Sequence, residues 1–320
     1  MARQTGFSSV TRWQRTGMQV NRAAPDSPDS PVAPARRRWL GMLPVAAVSS
    51  VVPWAVPWSV KSARAQSPAL RLGVLPNLSA RIIFAQYQPV RSYLEAALAE
   101  PVEVQTAPDL KAFHARTRAG DYDLVVTAAN LARLAQVDHQ WVPVAIYEPP
   151  IPGLLVRAKG ASPGGPAALK GKKLALANPQ SLVALRGYAW LAEQGVKKDA
   201  DYTPILARND DSLGTLLGSA DTPYAMMSMG EFRAIPEGTR AGLEIEIEFA
   251  RVPGFVLMHA PAMAPERAAR LRGALLRMGD AALGKSFFEM SGFRAIRALQ
   301  AQEMDGLDPY LAATRAAIAQ

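Results

Sequence analysis

The chain contains no cysteine. That excludes disulfides, thiolate metal sites and a lipid-bearing cysteine, and leaves the fold to packing and hydrogen bonding. Histidine is scarce as well. His114, His139 and His259 are scattered, and no two share a helical face, so no histidine metal pair is indicated. Aromatic residues make up only 7% of 320 residues and are not interleaved with a basic stripe. With no zinc-finger spacing either, a nucleic-acid partner is not expected. Acidic residues are outnumbered, 27 against 36 Lys and Arg, but the deficit is local. Residues 1–65 hold nine Lys/Arg and two Asp/Glu, which leaves 27 and 25 for residues 66–320. The body of the protein is almost neutral; the basicity belongs to its N-terminal segment.

That segment reads as an export signal. Residues 1–35 are polar and rich in Pro and Ser, the composition of a disordered stretch, and Met18 is an alternative start. Arg36-Arg37-Arg38-Trp39-Leu40 then opens an uncharged run to Val60, and Ala63-Arg64-Ala65 supplies an A-x-A cleavage pattern. The arginine cluster resembles a twin-arginine signal. Trp39–Val60 is nominally long enough to span a membrane as a retained anchor. Pro44, Pro53 and Pro57 make it a poor helix, so a cleaved signal and a periplasmic product from about Gln66 are expected.

Beyond residue 66 the apolar pattern alternates between strand and helix. Leu70–Pro76 reads as a buried strand. Ile83, Tyr87, Val90, Leu94 and Leu98 recur at helical spacing, and Val102–Thr106 alternates as a second strand. Asp109 is placed to cap a helix that runs to Gly120. Strands at Tyr122–Thr127 and Val142–Tyr147 follow, with a short helix between them. This β-α-β-α-β-α-β order implies a mostly parallel sheet with helices on both faces. After Pro149, Pro150 and Pro152, a second α/β unit runs to about Ala250, including the charged strand Leu243–Phe249. The remainder past His259 reads as helical. The expected organisation is 1–65 as signal and disordered region, 66–149 as the first part of lobe 1, 150–250 as lobe 2, and 251–320 as a return to lobe 1 with C-terminal helices.

Two strings imitate enzyme motifs. Gly279–Ser286 (GDAALGKS) fits the phosphate loop G-x-x-x-x-G-K-[ST], but a helical stripe containing Leu271, Leu275 and Met278 precedes it where a strand is required. Gly160–Gly164 (GASPG) fits the nucleophile elbow, yet Pro163, Gly165 and Pro166 make it a connector. With neither motif in context, no enzymatic activity and no cofactor are expected. A cleft enzyme remains an alternative, and would have to work with Glu148, Asp210 or Asp221.

Two exported α/β lobes without a catalytic constellation describe a solute-binding protein that closes on a ligand between its lobes. Several segments add a family resemblance: LGVLPN, YQPVRSYLEAALAEPVEVQ, AGDYDLVV, LKGKKLALANPQS, the ND…LLGSAD stretch and VPGFVLMHAPAM. Together, over about residues 70–280, they resemble phosphate/phosphite/phosphonate-type substrate-binding proteins of ABC transporters. The resemblance implies a two-lobed type II periplasmic-binding-protein fold, each lobe a mostly parallel sheet flanked by helices. It also implies a small anionic ligand and a permease in the inner membrane, with the binding protein acting as a monomer. A ligand-sensing module partnered with a membrane sensor is the second reading.

The resemblance implies a site on loops after strands: Asn77, Ser79, Thr127, Asn130, Ser181, Asn209 and Asp221. Here the binding motifs depart from the family pattern. Thr127-Ala128-Ala129-Asn130-Leu131 stands where Gly-Pro-x-Ser-Tyr is usual. Ser181-Leu182-Val183-Ala184 replaces Ser-Thr-Ser-Gly, so one hydroxyl remains at the oxyanion turn, and Asn209-Asp210 replaces His-Asp. Asp221 matches an acidic position suited to a ligand amine. Each residue also has a bland role: Ser181 and Asn130 as caps, Asn77 and Asp221 as turn formers. A ligand less charged than phosphate, or held more weakly than in the family at large, is expected.

If Ala63-Arg64-Ala65 directs cleavage, N-terminal sequencing of the periplasmic protein will start near Gln66; a start upstream of Trp39 would refute this. Replacing Arg36, Arg37 and Arg38 by Lys will hold the precursor in the cytoplasm if the twin-arginine route is used.

Overall fold

The computed structural model describes residues 68–207, 210–217 and 221–319. The export signal and Asn209 lie outside the described residues.

The local elements follow from the sequence pattern. Helix α1 (Ala80–Leu98) buries Ile83, Tyr87, Val90, Leu94 and Leu98, the stripe that its spacing foretold. Burial of each such side chain stabilises by about 1.5–3 kcal/mol before entropy is counted. Helix α2 (Leu110–Ala119) starts where the Asp109 carboxylate accepts from the Ala112 N–H at 2.7 Å, and ends at Gly120 with φ 77°. Glycine reaches that left-handed conformation at no steric cost.

Six strands form the first sheet: β1 (Leu70–Val74), β2 (Val102–Gln105), β3 (Leu124–Thr127), β4 (Val142–Glu148), β10 (Val256–His259) and β11 (Ala295–Ala298). Their order is β11-β4-β10-β3-β1-β2. The second sheet has five strands: β5 (Ile151–Ala158), β6 (Lys172–Leu176), β7 (Tyr202–Leu206), β8 (Tyr224–Ser228) and β9 (Leu243–Val252), in the order β7-β6-β8-β5-β9. Helices connect successive strands in each: α1, α2 and α3 (Ala129–His139) in the first, and α4 (Leu182–Glu193), α5 (Asp210–Leu216), α6 (Met229–Ala234) and α7 (Glu237–Arg240) in the second; α1 and α4 join parallel neighbours. After β10 come α8 (Pro265–Arg277) and α9 (Ala282–Ser291), then β11, α10 (Ala301–Asp305) and α11 (Leu311–Ala319).

Both sheets are mixed rather than simply parallel. β3 and β4, consecutive in direction and sequence, are not neighbours, because β10 returns between them and pairs antiparallel with both. In the second sheet β5 pairs antiparallel with β8 and β9. Helical spacing cannot reveal such insertions: β10 lies more than a hundred residues from β3 and β4. The reading of everything past His259 as helical is corrected by β11, whose Ala295–Ala298 pairs antiparallel with Ala298's partner Ala145 through Glu148 on β4. Four residues at a sheet edge carry too little pattern to be read locally. Edge strand β9 carries Glu244 and Glu246, which pair with Arg157 at 3.0 and 2.9 Å, and Glu248, which pairs with Arg251 at 2.6 Å. Charge on an edge discourages pairing with another chain.

The chain passes between the sheets twice, at Pro149–Pro150 and at Pro253–Phe255. The two passages touch. The Tyr147 N–H donates to the Phe255 carbonyl at 3.0 Å. A Cβ on Gly254 would collide with the Tyr147 carbonyl oxygen, so only glycine allows this approach.

The enzyme-like strings have structural explanations. Gly279–Ser286 joins α8 to α9, with no strand feeding it, and Gly284 packs on the Met278 carbonyl where any Cβ would collide. Ser162 is exposed in the loop after β5, and Gly164 N–H is tied to the Tyr224 hydroxyl at 3.0 Å. The histidines correct a simpler expectation. His114 on α2 and His139 at the end of α3 come together with ring centroids 5.8 Å apart. Burial, with His139 and Arg118 nearby and opposed by Asp138, lowers the His114 pKa to about 4. No group of three or more His, Asp or Glu poised for a metal occurs among the described residues.

Gly254→Ala will destabilise the fold by about 1–3 kcal/mol, because backbone rather than a flexible side chain blocks the new methyl; an unchanged Tm would refute the close approach. His114 gives a pH signature. The folded state resists a proton that the unfolded chain accepts near pH 6.5, so its contribution is complete above that pH and lost as pH falls toward about 4. Denaturant titrations will show this slope, and His114→Gln will flatten it.

Candidate functional site

The carboxyl ends of β1, β3, β6 and β8 all run into loops that face the seam between the sheets. Asn77 follows β1, Ala128 and Ala129 follow β3, Asn178 and Ser181 follow β6, and Ser228 ends β8. These loops enclose a cavity of about 30 Å³ lined by Asn77, Ala128, Ala129, Asn178, Ser181–Val183, Ser228 and Glu231. The first turns of α3 and α4 therefore present backbone N–H groups from opposite lobes to one small space. Helix starts carry unpaired N–H groups and partial positive charge, which favour an anion.

Two amides clasp the lobes. Asn130 is buried, and its Nδ2 donates across the seam to the Gln180 carbonyl at 3.2 Å and to Thr314 Oγ1 at 3.1 Å. Asn178 Nδ2 donates to the Asn77 carbonyl at 3.4 Å and to Glu231 Oε1 at 2.6 Å. The other Glu231 oxygen accepts from the Ser228 N–H at 2.6 Å, while Ser228 Oγ accepts from the Glu231 N–H at 3.1 Å. Burial pushes the Glu231 carboxyl above its usual range, and the Ser228 and Asn178 donors partly oppose that shift. A wider cleft of about 530 Å³ continues along the seam and shares Asn77, Ile151, Ser228 and Phe255 with the small cavity.

Of the seven residues expected at the site, the six that are described fall out unequally. Asn77 lines both cavities. Ser181 lines the small one, and its hydroxyl also caps α4 by accepting from the Ala184 N–H at 3.1 Å. Thr127 is buried and paired with Val256; the cavity wall beside it is built by Ala128 and Ala129. Asn130 acts as a clasp, with its amide directed at Gln180 and Thr314. Ser79 is half-buried at the start of α1 and lines neither cavity. Asp221 is misplaced by the expectation. Its carbonyl accepts from the Lys173 N–H at 2.8 Å, and its exposed carboxylate lies near Lys172 and Lys173. That is the amino end of β6 and β8, a strand length of about 16 Å from the carboxyl ends that form the site.

Asn178, Ser228 and Glu231 were not foreseen. A signal for two of them exists: Ser228-Met229-Gly230-Glu231, directly after a buried strand, fits the capping box S-x-x-E, and both of its hydrogen bonds form. Asn178 lies in the recognised NPQS turn, but its partners come from 53 and 101 residues away.

Comparison with known proteins agrees with this architecture. A family model described as "ABC transporter, phosphonate, periplasmic substrate-binding protein" matches residues 72–304. A binding-protein component of an ABC phosphonate transporter from Pseudomonas aeruginosa is similar at 16% identity, covering 79% of this chain and 98% of that one, with a TM-score of 0.64. PhnD1 from Prochlorococcus marinus in complex with methylphosphonate is 14% identical over 77% of this chain and 98% of its own, TM-score 0.66. XAC2383 from Xanthomonas citri, bound to ATP, is 18% identical over 78% and 98%, TM-score 0.64. No curated protein matches the chain. The resemblance carried by LGVLPN, LKGKKLALANPQS and the other segments, and the two-lobed type II fold it implied, are borne out. The chain belongs to the phosphonate-type family of periplasmic substrate-binding proteins of ABC transporters.

Proposed function

We propose that this binding protein captures a small organic anion at the seam between its lobes and passes it, as a monomer, to an inner-membrane permease. Export by a cleaved twin-arginine-type signal within residues 1–65 is part of the same reading. Among the described residues no helix is long and apolar enough to cross a membrane.

The observation that carries the ligand class is the meeting of two helix starts, Ala128–Ala129 on one lobe and Ser181–Val183 on the other, around one small cavity. Each contributes N–H groups to a negative ligand, and contacts from both lobes favour the closed state over the open one. Ser181 is the hydroxyl at that turn. Glu231 stands opposite as a buried acid, which disfavours a highly charged ligand and fits the loss of the other family hydroxyls. The bound ligands named for the similar structures, methylphosphonate and ATP, differ widely in size, so fold alone leaves the choice to the lining residues.

Calorimetry with methylphosphonate, phosphite and phosphate on the mature protein tests this. Ser181→Ala will weaken binding by about 0.5–1.5 kcal/mol, the net worth of one hydrogen bond. Ser181→Asp will abolish it by placing a like charge beside the anion. Because Ser181 also caps α4, the alanine variant without ligand will lose about 1 kcal/mol of stability. Equal affinities in the wild type and both variants would place the ligand elsewhere and leave Ser181 as a cap alone.

A further inference from the structure

We infer that the wide cleft beside the small cavity holds most of the ligand, and that the ligand is an organic anion with a bulky apolar body whose head group, at the mouth of the small cavity, is also gripped by Arg233 and Arg294. This rests on the reading of the protein as an anion carrier and specifies the anion.

Volume decides first. A cavity holds one water for about each 10–15 Å³ of probe-occupied space, so about 30 Å³ takes roughly two waters, less than a phosphonate head group. The adjoining cleft of about 530 Å³ lies within the range of about 300–1,000 Å³ typical of organic-ligand sites. A methyl group would leave most of it filled with water.

The lining supplies the chemistry. Arg233 on α6 belongs to the second lobe, and Arg294, just before β11, to the first. Neither guanidinium is paired with a carboxylate among the described residues, whereas Arg251 in the same cleft is held by Glu248 at 2.6 Å. Three guanidiniums against one carboxylate leave the cleft positive, although the body of the chain is almost neutral. Arg233 reaches across the seam and lies against Gly292, where φ is 80° and a Cβ would collide with the guanidinium. The backbone of the first lobe thus makes room for an arginine of the second. Between the charges the walls are apolar: Ile82 from α1, Met229 from α6, and Met290 and Phe293 from the end of α9 and the turn after it. Methionine walls adapt to varied apolar shapes, and a guanidinium fork suits a phosphonate, sulfonate or carboxylate.

The arrangement also links charge to closure. Arg233 and Arg294 carry like charges on opposite lobes, so an anion between them lowers the energy of the closed state more than that of the open one.

The test compares two probes with one head group, methylphosphonate and phenylphosphonate, by calorimetry on the mature chain. Phenylphosphonate is expected to bind about tenfold more tightly, the worth of burying its ring in an apolar wall. Arg233→Gln and Arg294→Gln will each weaken phenylphosphonate about tenfold, and raised salt will weaken the wild type in the same direction. The Tm of each unliganded variant reports whether folding is intact, since among the described residues neither guanidinium has a carboxylate partner to lose. Methylphosphonate binding as tightly as phenylphosphonate would overturn the inference. So would wild-type affinity in both arginine variants while Ser181→Asp abolishes binding, which would leave the ligand in the small cavity and the anion-carrier reading intact. Binding of neither probe by the wild type would overturn the inference together with the anion reading beneath it.

Discussion

The structure depends on two adjacent passages of chain between two sheets. At Pro149–Pro150 and Pro253–Phe255 the backbone crosses from one lobe to the other, and Gly254 lets one crossing lie directly against the Tyr147 carbonyl of the other. Because the crossings touch, they constrain the relative path of the lobes. Prolines limit the conformations of both segments. The seam beyond the crossings can then be lined by loops rather than by packed core, which is where polar groups and a ligand can be accommodated.

Those loops are alike in origin. Each follows the carboxyl end of a strand and precedes a helix, so each offers backbone N–H groups with the positive end of a helix behind them. The amide clasps Asn130–Gln180 and Asn178–Asn77 join the same loops across the seam. Binding and closure therefore draw on one set of atoms, and the groups that recognise an anion lie among those that hold the lobes together. Glu231 contributes in the opposite sense: its hydrogen bonds to Ser228 and Asn178 order the seam, while its buried carboxyl limits how much negative charge the ligand can bring.

The strings resembling enzyme motifs show how a short pattern can be right in letters and wrong in context. Gly284 is glycine because the Met278 carbonyl leaves no room for a Cβ, and the loop around Ser162 is glycine- and proline-rich because it connects β5 to β6 at the surface. In each case packing or connectivity accounts for the glycines without a phosphate or a nucleophile.

Much of the architecture was legible in the chain itself. The stripe of α1, the Asp109 and Gly120 ends of α2, the buried strands and the charged alternation of β9 all depend on neighbours within a few residues, and periodicity records such interactions directly. The order of these elements, together with the family-like segments, also conveyed two lobes and a cleft. Tertiary structure decided what depends on distant partners. β10 inserts between β3 and β4, and β11 pairs at the edge, because hydrogen bonds form with strands more than a hundred residues away. His114 meets His139 only because α2 packs beside α3. Asp221 falls at the wrong end of its strand, and Arg233 and Arg294, 61 residues apart in number, reach one cleft from opposite lobes. Local pattern specifies which residues are buried in each element; which side chains face one another across the seam is set by sheet order, and that follows from contacts no local spacing encodes.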